Sequence, residues 1–360
     1  MSVSLIKSPF GDHINQLSTE SIIVDYNTPR CNRAKLDTGT YCNYDCEFCY
    51  YRDKLDIKTP FDIIKSRADY LSAYGITQVD LSGGESSILH EWFDLLDYCN
   101  SKFEHISCLS HGGRFANMDF ISQSAEHGLK EILFSLHGTN SRTHDSITNR
   151  PGSFDRILKA IHNAKSLDMV VRINCTVYYK NYAELDSYAS LINELDPFEV
   201  NFITLNYWEG VDVNIPTVNY QSLTNKIKIC IDNLDKNILI NVRYVPYCYM
   251  IGYEKYVCNE YQHIYDLYDW NKEIYTSDID VTKPYTNQEK LLFGYARCAD
   301  TRIKSYYKKV ECTTCKYFYI CDGVKNEISI PVAPVEGEKI KEVTHYRKNF
   351  YEIINTNTNS

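Results

Sequence analysis

The sequence predicts an α/β protein, an open partial (βα)6 TIM-like barrel followed by a cysteine-rich C-terminal extension. Apolar runs of strand length alternate with helix-length stretches between Arg33 and Asp235. Such alternation implies parallel strands joined by crossover helices. Six units in roughly 200 residues are too few for the usual eight-unit barrel of ~250 residues, so the sheet should stay open. After Asp235 the alternation stops and an aromatic, cysteine-containing region follows.

Residues 1–32 read as an N-terminal arm with a short strand around Ser21–Tyr26. Strands are expected at Ala34–Thr38, Gln78–Leu81, Ile106–Leu109, Glu131–Leu136, Met169–Val177 and Val200–Leu205. The helices between and after them are expected from about Pro60, then at Ile88–Cys99, Met118–Glu126, Ser153–Ser166, Tyr182–Leu195 and Tyr220–Leu234. Pro60 suits a first helical turn, where its missing N–H costs nothing. Asn237–Val245 reads as an additional strand. These spans divide the chain into the arm, a barrel at 33–235, an extension at 236–345 and a polar tail at 346–360.

Hydrophobic content of 44% with 24% charged residues supports a sizeable core. The net charge of −9 argues against nucleic-acid binding, which usually needs a basic face. No apolar run is long enough for a signal peptide or for the ~20 residues that span a bilayer, so a cytoplasmic protein with no membrane partner is expected. Fourteen cysteines in a chain of this size point to metal rather than to a disulfide scaffold.

Cys42, Cys46 and Cys49 supply three thiolates in eight residues of a polar loop directly after the first strand. Iron–sulfur clusters commonly take four cysteines, so three leave one iron open to a ligand from outside the protein. A structural zinc wants four ligands, and no histidine lies in or near this loop. The Cys-x3-Cys-x2-Cys spacing resembles the signature of the radical S-adenosylmethionine (radical SAM) superfamily. The resemblance implies a [4Fe–4S] cluster whose open iron chelates S-adenosylmethionine, and a partial-barrel fold with its site at the C-terminal strand ends.

Ser82-Gly83-Gly84-Glu85 follows the second strand and resembles the family motif that holds the methionine amino group, with Gly83, Gly84 and Glu85 as contacts. Phe48 is the aromatic that often precedes the third cysteine. Ser135, at the end of the fourth strand, and Arg172, on the fifth, are polar residues in strands expected to be buried. By resemblance they contact the nucleoside or carboxylate of S-adenosylmethionine, and Asn174 faces either cofactor or substrate. No Gly-x-Ile-x-Gly run occurs on the fifth strand, which departs from the family pattern. His111 and His137 follow the third and fourth strands; His137 and His144-Asp145 read more simply as loop-ordering groups than as proton carriers.

The extension carries Cys312, Cys315 and Cys321, three thiolates in ten residues. This resembles part of the SPASM and twitch pattern and implies an auxiliary [4Fe–4S] cluster. The fourth ligand must come from upstream, with Cys248 first, Cys298 second and Cys258 third. A zinc ribbon satisfies the same spacing.

The resemblance implies reductive cleavage of S-adenosylmethionine and hydrogen abstraction from a peptide, with a reducing partner such as flavodoxin or ferredoxin. Radical oxidation or epimerisation of a small metabolite is the alternative substrate class. A non-catalytic iron–sulfur electron carrier is the alternative of another class.

Overall fold

The computed structural model describes residues 22–206, 211–212, 214–274, 280, 283–325 and 330–347. The chain splits into two compact units, one spanning Lys35–Val242 and the other combining Met1–Ala34 with Arg243–Ser360.

The first unit is the barrel. Its strands are β1 (Arg33–Asp37, beginning two residues ahead of the unit), β2 (Gln78–Ser82), β3 (His105–Ser110), β4 (Leu129–Ser135), β5 (Val170–Val177), β6 (Glu199–Thr204) and β7 (Leu239–Arg243). They lie side by side in chain order, and β2 through β6 pair in parallel. The expected additional strand is thus the seventh of this sheet, with the Leu239 amide donating to the Phe198 carbonyl at the entry to β6. The helices are α1 (Phe61–Tyr74), α2 (Trp92–Asn100), α3 (Met118–Glu126), α4 (Ser141–Thr148), α5 (Ser153–Ser166), α6 (Leu185–Leu195) and α7 (Tyr220–Asn233).

Local chemistry explains where the helices begin. Asn117, Asn140 and Asn219 cap α3, α4 and α7 by accepting a backbone N–H three residues on, which satisfies a donor the helix itself leaves open. Helix α4 is too short and polar to announce itself in the sequence. Its Asp145 carboxylate caps the next helix, accepting from the Gly152 and Phe154 amides and from the Ser153 hydroxyl. The order of the Pro151–Gly152 turn rests on that carboxylate.

Alternate residues of the strands face the helices or the barrel interior. Phe202 stacks edge-on to Tyr188 of α6, so its neighbours Asn201 and Ile203 face inward. On the inner face the lower half of the barrel is filled by charge. Arg172 donates to Glu199 at 2.5 Å and to Glu131 at 2.9 Å. Glu131 also meets His105 Nε2 at 2.9 Å, and Asn241 donates to Glu199. Arg172, Glu131 and Glu199 are all essentially inaccessible, so each charge depends on its partners.

In the second unit, the expected arm packs with the C-terminal segment. Ile23 forms a single bridge with Glu342, Cys31 donates its amide to Ile264, and Arg30 pairs with Glu273 at 2.5 Å. Residues 1–21 and 348–360, which include Ser21 and most of the expected tail, lie outside the described residues. The unit also contains β8 (Val257–Cys258), α8 (Asn287–Ser305) and the antiparallel pair β9 (Tyr306–Tyr307) with β10 (Val324–Lys325). The 19-residue α8 falls in the region read from sequence only as aromatic and cysteine-containing; Thr286 and Glu289 form its reciprocal cap. No described helix is long and apolar enough to cross a membrane.

Candidate active site and auxiliary cysteine centre

The loop after β1 carries Cys42, Cys46 and Cys49, and nearly every residue between them is held from another loop. His111, just past β3, stacks on Tyr44 with ring centroids 3.6 Å apart and planes 4° from parallel. Its Nδ1 accepts the Gly113 amide and its Nε2 lies 2.8 Å from Asn43 Oδ1, which sets a neutral ring with the proton on Nε2. Arg52 forks onto Asp45 at 2.7 and 2.9 Å. Glu47 is clamped from the end of β5 by Tyr178 at 2.6 Å, Tyr179 at 3.0 Å and Lys180 at 3.0 Å. The Phe48 ring meets His137 and Tyr178 edge-on and packs on a buried cluster that includes Ile147 and Leu205.

The three thiols suit a cationic cluster. Burial, then the Glu85 charge, pushes Cys42 up to about 12. Burial and the neighbouring Cys49 and Cys42 raise Cys46, and burial raises Cys49. Metal must displace those protons, and its positive charge removes the mutual repulsion of the thiolates. Among the described residues no three His, Cys, Asp or Glu converge as a site for one metal ion. In a four-iron cluster held by four cysteines each thiolate serves its own iron, so the sulfurs need not meet at a point.

The Gly-Gly-Glu segment lies against the start of this loop. Gly84 donates to the Gly39 carbonyl at 2.7 Å and Glu85 to the Tyr41 carbonyl at 2.8 Å. A Cβ on Gly83 would sit 2.0 Å from the Gly39 oxygen, and one on Gly84 2.1 Å from the Tyr41 oxygen. The glycines are therefore required by close backbone approach to the cysteine loop, whatever else they touch. The Glu85 carboxylate is buried; it accepts from Ser87 at 2.5 Å, Ser110 at 2.8 Å and the His111 amide at 2.9 Å. Its oxygens are largely occupied by protein donors, tying the end of β2 to the end of β3.

Register separates the two strand residues expected at the cofactor. Ser135 pairs with Asn174, and Asn174 with Asn201, giving one inward row across β4, β5 and β6. Arg172 lies one step lower, paired in register with Glu199 and bound to two carboxylates. Arg172, expected at the nucleoside or carboxylate of S-adenosylmethionine, has its guanidinium between Glu131 and Glu199 on the barrel floor. The residue that spacing missed is Asn201, 1% exposed, with neither side-chain amide atom bonded. An orphaned buried amide costs about 1–3 kcal/mol, so a polar group in the barrel mouth fits this row. The only sequence signal was an asparagine inside an apolar strand.

In the second unit, Cys248, Cys312, Cys315 and Cys321 line one cavity, with Pro246, Tyr317, Phe318, Val332 and Pro334 among its walls. Cys298 is outside that lining; it sits in α8 and its Sγ donates to the Glu260 carbonyl at 3.0 Å. Cys258 is also outside, buried in β8. Four thiols on a wall that is otherwise apolar apart from Lys308 fit a cluster taking four cysteines.

The barrel unit thus presents three cysteines on the loop after its first strand and a polar row on its inner face. The model of the Radical SAM superfamily matches residues 36–192. That match covers 157 of the chain's 360 residues, within the barrel unit that carries Cys42, Cys46 and Cys49, and the superfamily's cofactors are a [4Fe–4S] cluster and S-adenosylmethionine. The chain is 28% identical over 182 residues to the antilisterial bacteriocin subtilosin biosynthesis protein AlbA of Bacillus subtilis, covering 49% of this chain and 40% of that protein. It is 26% identical over 172 residues to the AdoMet-dependent heme synthase of Methanosarcina barkeri, covering 47% and 48%. The chain thus spans less than half the length of these two relatives. The fold resembles Streptococcus suis SuiB bound to the precursor peptide SuiA, with a TM-score of 0.57 at 15% identity over 88% of this chain and 75% of that one.

Proposed function

We propose that the protein modifies a peptide by radical chemistry, using Cys42, Cys46 and Cys49 to hold the reducing cluster and the inner row Ser135–Asn174–Asn201 to orient a polar ligand. The observation that carries this reading is the three-cysteine loop, immobilised from the ends of β3 and β5. When bound, the cluster and S-adenosylmethionine supply a 5′-deoxyadenosyl radical, which takes a hydrogen atom from substrate. The chain's own contribution is orientation and shielding. His111 and Glu47 fix the loop, Phe48 and His137 close one wall, and Glu85 braces the mouth between β2 and β3. Cys248, Cys312, Cys315 and Cys321 hold an auxiliary cluster. AlbA by its name serves bacteriocin biosynthesis, and SuiB binds a precursor peptide; both support a peptide substrate. The heme synthase relative supports the second reading, a small metabolite.

The test uses anaerobically reconstituted protein with dithionite and S-adenosylmethionine. Slow formation of 5′-deoxyadenosine is expected, abolished in Cys42→Ala. Adding a deuterated cell extract, split into peptide and small-molecule fractions, separates the substrate classes. Deuterated 5′-deoxyadenosine from the peptide fraction is expected; label arriving only from the small molecules overturns the peptide reading.

A further inference from the structure

Buried asparagines in this chain are put to use. Asn163 donates to the Phe115 carbonyl at 3.0 Å, Asn181 to the His137 carbonyl at 2.8 Å, Asn241 to Glu199, Asn259 to the Val245 carbonyl at 3.2 Å and Asn271 to the Cys31 carbonyl at 3.0 Å. Asn201 and Asn206 depart from that rule. They are 1% and 5% exposed, and neither amide atom of either one is hydrogen-bonded among the described residues. An orphaned buried polar group is costly, so two such side chains close together in sequence point to a ligand that completes them.

Both belong to one strand or its exit. Asn201 is the third residue of β6, and Asn206 lies two residues past its last residue, Thr204. The Leu205 amide donates to the Val177 carbonyl at 3.0 Å, so the chain stays paired with β5 to that point. An extended chain rises about 3.3 Å per residue, which sets the two asparagines roughly 16 Å apart along the strand. One lies inside the barrel and the other at its rim.

A carboxamide carries a donor and an acceptor side by side. Its complement is a neutral group that also offers both, and no charged side chain stands in the row Ser135–Asn174–Asn201 to call for an ammonium or a carboxylate. The purine edge of S-adenosylmethionine is one such group, but a single purine is too short to serve positions so far apart. A peptide main chain repeats the N–H and C=O pair residue after residue. We infer that Asn201 and Asn206 are specificity-determining residues that bind main-chain amide groups of a substrate peptide extended along β6. The inference rests on the peptide reading above and deepens it: recognition here runs through the main chain and places few demands on the substrate's side chains.

The experiment follows deuterium from the peptide fraction of the labelled extract into 5′-deoxyadenosine. Asn201→Leu and Asn206→Leu each remove an amide while keeping much of the side chain's size. Neither amide holds the fold, so thermal midpoints should stay level or rise, and S-adenosylmethionine affinity should stay within about twofold. Deuterium transfer should fall about tenfold or more in each variant, as the loss of a buried hydrogen-bonded pair requires. An equal loss of S-adenosylmethionine affinity would mean that the amides read the cofactor, a lowered midpoint that they brace the fold, and unchanged transfer that no substrate meets them; each overturns the proposal. A measurement on the unmutated protein is independent of any variant's folding. A capped oligoalanine peptide, which has main-chain amides and no side-chain ones, should compete with the transfer, and its N-methylated counterpart should not. Equal competition by both, or by neither, also overturns the proposal. Label arriving only from the small-molecule fraction in the unmutated protein defeats the peptide reading itself, whereas peptide-derived label that both variants keep defeats this inference alone.

Discussion

The imidazole of His111 lies flat on the Tyr44 ring, centroids 3.6 Å apart, and thereby joins the end of β3 to the middle of the cysteine loop. The same imidazole reaches Asn43, and its own amide is bound by Glu85. One residue therefore couples the cysteine loop, the Gly-Gly-Glu turn and the third strand. His111→Ala should lower iron retention at the barrel site severalfold and broaden its EPR signal. His111→Phe keeps the stacking but not the Asn43 contact, and should fall between. Wild-type iron retention in His111→Ala would show that the loop orders itself.

Metal content tests both cysteine sets. About eight irons per chain are expected after reconstitution, and about four when Cys42, Cys46 and Cys49 are all replaced by Ala. A measured ratio of about four irons to one zinc would instead make the C-terminal site a structural zinc.

Cys248 and Cys298 offer a sharper comparison. Cys248 lines the cavity with Cys312, Cys315 and Cys321, whereas Cys298 is committed to the Glu260 carbonyl. Cys248→Ala should halve the iron and loosen the second unit, because metal binding in such modules contributes to folding. Cys298→Ala should keep the iron. Mössbauer spectra of the two variants decide it; loss of the second cluster in Cys298→Ala alone would move the ligand set into α8.

Arg172 is expected to be structural. Arg172→Met leaves Glu131 and Glu199 buried without their counter-charge, at a cost of about 3–5 kcal/mol. That corresponds to a fall in thermal midpoint on the order of 10 °C. S-adenosylmethionine affinity of the remaining folded protein should stay within about twofold. A large loss of affinity with an unchanged midpoint would return Arg172 to the cofactor.

His144 gives a pH dependence with a definite sign. It is fully buried, its Nδ1 accepts the His137 amide, and burial pushes it down to about 4. The unfolded chain takes up the proton first, near the usual 6.5, so stability holds above that pH and falls as pH drops from about 6.5 to about 4. Through this group alone the loss reaches about 3 kcal/mol. His144→Asn retains an acceptor and should flatten that part of the curve, as read by urea midpoints at pH 7, 5.5 and 4.5.

Much of this protein was legible in its sequence because the signals are local. Strand and helix periodicity located the barrel elements to within a few residues. Cys42, Cys46 and Cys49 fall within one loop, as do Gly83, Gly84 and Glu85. Cys312, Cys315 and Cys321 lie within ten residues. Helix α4 was missed because eight largely polar residues give no apolar stripe. The 19-residue α8 was missed because its region read only as aromatic and cysteine-containing, although Thr286 and Glu289 cap it.

What the sequence determined by itself was the donor chemistry, three thiolates in one loop and three in another, since ligand type and spacing are properties of adjacent residues. Which distant groups meet was decided only by the tertiary structure. Strand register put Asn201 beside Asn174 and sent Arg172 to the floor with Glu131 and Glu199. Chain folding in the second unit brought Cys248 to the other three cysteines and left Cys298 aside. A side chain's face depends on pairing register, and a one-residue difference in position along a strand turns it to the opposite side of the sheet.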